Sequence, residues 1–238
     1  MPKKHKKENK DSLLNHLEAL RHVLLHSLIA LGIGIIPAYL VSPYALKGLM
    51  KILLAEQEVT LNYFSPMEIF LLQIKIAFLI DLIVCFPYLA KKIWGFVMPA
   101  LHEKERRYVR SIIGISSLLF GVGVIFCLLF ILPLIIRFGM SFETSSIKAM
   151  FGASNVIGLS LWLSAVFGFM FQFPLVTYSL VRSNLVTYET VKAKRPYILV
   201  IILIIAAVLT PPDIISQLML GIPTYLLFEA GLFFSKKK

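Results

Sequence analysis

The chain has 238 residues, of which 58% are apolar and only 16% charged, with a mean hydropathy of +0.82. A soluble domain is about 45–50% apolar with about a quarter of its residues charged, so the composition argues against a water-soluble globule and for a membrane protein. At ~20 apolar residues per span, the length holds roughly six spans with short loops; the net charge of +11 then points either to nucleic acid or to cation-rich loops on one side of a membrane.

Residues 1–10 are lysine-rich and read as a basic cytoplasmic tail facing lipid headgroups. Asp11 or Ser12 can N-cap a helix in which Leu13, Leu17, Leu20 and Leu24 recur at helical spacing, with Asn15, Glu18 and His22 toward its polar side. The pattern predicts an interfacial helix that runs into a first span at 23–41. That span is too long for the apolar core of a secretory signal, and no small-residue cleavage site follows it. His22 and His26 are four apart, but no third ligand stands near, so no metal is expected there.

Five more apolar runs follow, at 69–90, 111–136, 156–181, 198–210 and 214–234. The fifth span is only ~18–20 Å long by helical rise, short for a hydrocarbon core of ~30 Å. The second carries Lys75 and Asp81. A charge at mid-membrane costs ~2.5–3.5 kcal/mol on insertion scales, so Asp81 must face protein or water, or be protonated. A proton relay or partner contact and a buried, hydrogen-bonded acid both remain open for it. Gln172 is a second mid-membrane polar group, of the kind that commonly binds helices together. Prolines 37, 87, 133, 174 and 223 predict kinked helices and a concave shape. Cys85 and Cys127 lie inside apolar runs, with no further cysteine to build a disulfide framework.

The connection between the second and third spans reads Pro99-Ala100-Leu101-His102-Glu103-Lys104-Glu105-Arg106-Arg107. If it is helical, Glu103 faces Arg106 and Arg107 and is neutralised locally. Glu105 has Tyr108, Val109 and Leu101 at the equivalent positions, and only His102 could pair with it. An unpaired carboxylate among cations can receive a guanidinium from another molecule; it can equally be a solvated surface glutamate.

Sorting the cations by connection resolves the charge. Nineteen of the 24 Lys and Arg precede the first span, join spans two and three or four and five, or follow the sixth. Lys47, Lys51, Arg137 and Lys148 fall in the other connections, and Lys75 alone lies within a span. The fold expected is therefore all-α: a single polytopic transmembrane domain of six helices, the last two short, with both termini cytoplasmic. No stretch interleaves basic and aromatic residues as a nucleic-acid module does. No catalytic constellation, Gly-rich phosphate loop or zinc spacing appears, so neither an enzyme nor a cofactor is expected.

An ordered series of motifs resembles the TatC family, the multispanning subunit of the twin-arginine protein translocase. It comprises His16-Leu17-Glu18-Ala19-Leu20-Arg21, Ser65-Pro66-Met67-Glu68-Ile69-Phe70, and Trp94-Gly95-Phe96-Val97-Met98-Pro99-Ala100-Leu101 leading to Glu105-Arg106. Later come Phe167-Gly168-Phe169-Met170-Phe171-Gln172-Phe173-Pro174, Thr210-Pro211-Pro212-Asp213, and Phe228-Glu229. The resemblance implies a receptor in a prokaryotic inner membrane for signal peptides bearing consecutive arginines. With TatA- and TatB-type single-span subunits, in an oligomeric complex, such a receptor passes folded proteins across the membrane using the proton-motive force.

By that resemblance Glu105 contacts the arginine pair, with Glu18, Leu20, Arg21 and Arg106 framing the same surface; Phe96, Pro99, Glu68 and Asp213 are further family-motif positions. Two departures stand out. The family's glutamate in the first motif is Ala19 here, so either Glu18 substitutes for it or that contact is lost. The family usually has glutamate where this chain has Gln172, and Asp81, at similar depth, is the expected replacement acid. The competing reading is a proton-coupled small-solute secondary transporter that uses Asp81 or Lys75.

Overall fold

The computed structural model describes residues 3–54, 61–97, 106–142, 151–183, 185–210 and 214–236. Helix α1 (Lys3–Leu54) is a single run of 52 residues, ~78 Å by helical rise. It begins before Asp11 and Ser12, which therefore lie inside the helix and not at its N-cap. It also continues past 41, so Lys47 and Lys51 ride on its last turns. Only Ala38, Ser42 and Leu49 are buried along its described side chains; Leu31, Ala45, Leu46 and Met50 pack partly buried against its neighbours, while Ile33, Ile36 and Leu40 face outward, as a lipid-bathed helix allows.

Helix α2 (Pro66–Val97) lies along α1. Helix α3 (Arg106–Phe126) passes through a π turn (Cys127–Ile131) into α4 (Leu132–Met140). Pro133 has no N–H to continue the α-helical ladder, and the wider turn just before it absorbs the mismatch. Proline acts in the same way in the fourth span, where α5 (Ala153–Met170) breaks at Phe171 and Gln172 before α6 (Phe173–Arg182) with Pro174 in its first turn. Pro37, Pro43, Pro87 and Pro223, by contrast, sit inside helices that continue through them.

A short α7 (Tyr188–Ala193), capped by the Thr187 hydroxyl, leads to α8 (Arg195–Leu209) and α9 (Ile214–Ser235). Five helical stretches among the described residues are long and apolar enough to cross a membrane. Helix α8, with 15 residues, is the shorter one. Helix α9, with 22 residues and ~33 Å long, covers the sixth expected span at 214–234 and is shorter than the other four candidate spans of 30–36 residues, so the last two helices are the short ones.

One core joins α2, the π turn and α5 through Leu72, Ile76, Cys127, Leu163 and Phe167. A second joins α2 to α3 and α6 through Phe86, Trp94, Phe120 and Leu175. Phe86 and Phe120 stack with ring centroids 3.9 Å apart, and Phe169 meets both edge-on. Helix α9 packs on α6 so closely that a Cβ on Gly231 would stand 2.5 Å from Pro174 Cα; glycine there is a requirement of the contact. At one end of the bundle, β1 (Leu61–Asn62) and β2 (Phe151–Gly152) form a two-residue parallel pairing, Leu61 against Phe151 and Asn62 against Gly152. It ties the segment before α2 to the segment before α5.

Candidate functional site

The residues named from sequence separate into three levels along the bundle. At the α1 entry, Glu18, Leu20 and Arg21 are all exposed. Glu18 and Arg21 are three apart on one helix, yet neither has an ion-pair partner among the described residues. His26 Nδ1 lies 2.7 Å from the His22 carbonyl oxygen, one turn back along the helix, so the pair is engaged locally. Arg106 opens α3, and Phe96 is half-buried near the end of α2. Glu105, Pro99 and Asp213 lie outside the described residues.

Inside the helix bundle Gln172 has a specific task. It sits in the α5–α6 break, where its Oε1 accepts from Ser116 Oγ at 2.6 Å and its Nε2 donates to Ser116 O at 3.1 Å and to Gly168 O at 3.4 Å. Trp94 Nε1 donates to the same Ser116 hydroxyl at 3.3 Å. The network links α2, α3 and the α5–α6 break. A glutamine is suited to this position because it both donates and accepts, which a carboxylate cannot do. Ser116 was not singled out from sequence; a serine at one position of an apolar run is an ordinary residue until its neighbour is known.

Asp81 is not in that network. It is 2% exposed and lies where α2 meets α1. Its Oδ1 accepts from Cys85 Sγ at 3.1 Å, and its Oδ2 has no partner among the described residues. A Cβ on Gly34 of α1 would overlap Asp81 Oδ1, so α1 covers the carboxyl. As a contact for a partner chain, Asp81 is occluded unless α1 moves aside.

At the β1–β2 end, Glu68 joins two elements. Its Oε2 accepts from the Phe64 N–H and its Oε1 from the Ser154 N–H, both at 2.9 Å. Ser154 lies in the first turn of α5, whose free N–H groups attract an anion. Glu68 thus fastens the start of α2 to the start of α5, a structural task that its place in a sequence motif did not disclose. At the far end of the chain Arg195 Nη2 donates to Glu229 Oε2 at 2.7 Å and Tyr225 OH donates to Glu229 Oε1 at 2.9 Å, which pins the start of α8 to α9.

Comparison with known proteins gives one consistent result. The family model for the Sec-independent protein translocase protein (TatC) matches residues 15–223. The Sec-independent protein translocase protein TatC of Carboxydothermus hydrogenoformans is 34% identical over 226 residues, covering 94% of this chain and 93% of that protein. Its counterpart in Escherichia coli K12 is 32% identical, covering 96% and 90%. A crystal structure of the twin arginine translocase receptor TatC in DDM superimposes with a TM-score of 0.84 at 31% identity, covering 93% of this chain and all of that one.

Proposed function

The chain belongs to the TatC family of Sec-independent protein translocase proteins and is a core subunit of a twin-arginine translocase, and on that premise we propose that it is the receptor for signal peptides bearing consecutive arginines. The observation that carries this reading is the extent of the family match, which takes in the α1 entry, the connection around Glu105 and the start of α9. A solute transporter would share neither those motifs nor this fold.

Glu105 is the acceptor for the arginine pair. Its spacing leaves only His102 to pair with it one turn away, and a carboxylate takes an arginine fork by two parallel charge-assisted bonds. Glu18, Leu20 and Arg21 on α1 and Arg106 at the start of α3 frame the same face. The exposure and unpaired state of Glu18 and Arg21 support that role; Phe96, Pro99, Glu68 and Asp213 are further family-motif positions outside this proposed contact. Gln172 and Asp81 serve contacts within the membrane. The whole chain forms one transmembrane domain with a basic tail at 1–10. Cation placement supports six crossings with both termini in the cytoplasm, in the inner membrane of a prokaryote. The subunit works in an oligomeric complex with TatA- and TatB-type single-span proteins, uses the proton-motive force and catalyses no reaction of its own.

The test is co-purification of the membrane-embedded chain with a twin-arginine signal peptide and with the same peptide carrying two lysines. Selective retention of the arginine peptide is expected. Equal retention of both sinks the receptor reading.

A further inference from the structure

Helix α6 ends at Arg182, α9 ends at Ser235, and α7 packs against α9 beside these two ends. The three elements border a cavity of about 590 Å³, whose lining includes Tyr178, Arg182, Tyr188, Glu189, Phe234 and Lys236. Local sequence places them there. Arg182 is the basic residue in the last turn of α6, Lys236 follows the last turn of α9, and Tyr188 opens α7. Cations suit the C-terminal turn of a helix, and tyrosines suit the level at which a span leaves the hydrocarbon.

Arg182 and Lys236 are exposed, and neither side chain has an ion pair or hydrogen bond among the described residues. The phenols of the half-buried Tyr178 and Tyr188 are likewise unpaired there. The other polar groups at the cavity are engaged: Thr187 Oγ1 caps α7, and the Ser235 hydroxyl donates to Leu232 O at 2.7 Å. Arg195, outside the cavity, is paired with Glu229. Two cations and two phenol donors therefore line one space with a single acid, Glu189, which leaves one positive charge in excess.

A phosphodiester supplies what this lining lacks, since its oxygens accept hydrogen bonds and carry one negative charge. The rim shows what the phosphate is attached to. Phe233 and Phe234 are 72% and 71% exposed, and Leu226 and Ile222 of α9 also face outward. A small free anion would leave that apolar surface without a partner. A phospholipid sets its phosphate in the headgroup layer and its acyl chains against α9, and basic pockets between membrane helices hold acidic headgroups in this way. Glu189 can only accept, which favours a headgroup ending in hydroxyls over one with a second anionic group.

We propose that the cavity at the ends of α6, α7 and α9 binds an anionic phospholipid whose phosphodiester is held by Arg182 and Lys236. The proposal requires a chain embedded in a membrane and uses no residue of the signal-peptide face.

The test reconstitutes the full chain in vesicles of equal parts phosphatidylglycerol and phosphatidylcholine. The protein is then re-extracted in detergent at ~0.5 M salt, where attraction to general surface charge is screened, and bound lipid is read by native mass spectrometry. Retention of phosphatidylglycerol over phosphatidylcholine is expected. Arg182→Gln and Lys236→Gln should each lower it about fivefold, and the double variant about 25-fold. The pair Arg182→Lys with Lys236→Arg, which keeps both cations, should hold the lipid within about twofold. Lys192→Gln, an equal loss of charge on α7 outside the cavity, should leave it unchanged. Equal loss in Lys192→Gln overturns the proposal, because diffuse charge would then account for the binding. Unchanged retention in the double glutamine variant overturns it directly. Full release of the lipid by excess inorganic phosphate also overturns it, since the cavity would then be a site for a free anion.

Discussion

Ser116 offers Gln172 both of its hydrogen-bonding groups: its hydroxyl donates to Gln172 Oε1 at 2.6 Å, and its carbonyl accepts from Nε2 at 3.1 Å. At ~0.6 kcal/mol per hydrogen bond between membrane helices, Gln172→Leu should lower stability by about 2 kcal/mol, measured by unfolding in detergent. Gln172→Glu should also destabilise at neutral pH, because an ionised carboxylate has no proton to give to Ser116 O or Gly168 O. It should recover on acidification, when the neutral carboxyl can donate one of those bonds.

Gly34 and Asp81 make a second prediction. Gly34→Ala forces α1 away from α2, an overpacking that costs about 1–3 kcal/mol. Adding Asp81→Ala should remove most of that penalty, and a double-mutant cycle measures the coupling. Asp81→Asn keeps the shape and removes the acid. Loss of transport with unchanged stability is expected if Asp81 serves as the replacement acid of the membrane interior, and normal transport by Asp81→Asn would refute that role.

Glu68→Ala should speed hydrogen exchange at the Phe64 and Ser154 amides, the two N–H groups that its carboxylate accepts. Glu68→Gln, which retains one acceptor oxygen, should lie between the two. Equal exchange in all three proteins would show that the β1–β2 pairing holds this end of the bundle unaided.

Glu105→Gln should weaken cross-linking to a twin-arginine signal peptide roughly ten- to hundredfold, the loss of a hydrogen bond between charged groups, while membrane insertion stays intact. Unchanged cross-linking, with loss only on substitution of Arg21, would move the arginine site to α1.

Orientation can be read with an impermeant maleimide on chains whose native cysteines are removed. Lys148→Cys should label from outside, and Lys192→Cys and Lys236→Cys only from inside. Outside labelling of Lys236→Cys would mean that α8 turns back without crossing.

Hydropathy and charge along the chain suffice to locate the apolar helices and the charged connections between them. Backbone groups in hydrocarbon must be satisfied within their own helix, so each span is a local property, readable one stretch at a time. Spacing alone likewise leaves Glu105, if its segment is helical, with only His102 to pair with. Which helix faces which is not local. Ser116 is one serine in an apolar run until α3 meets the α5–α6 break, Gly34 is one glycine of a long helix until Asp81 fills the space beside it, and Glu68 is a motif letter until α5 presents its free N–H. These pairings come from packing, because helical periodicity specifies a face of each helix and leaves the identity of its neighbour open.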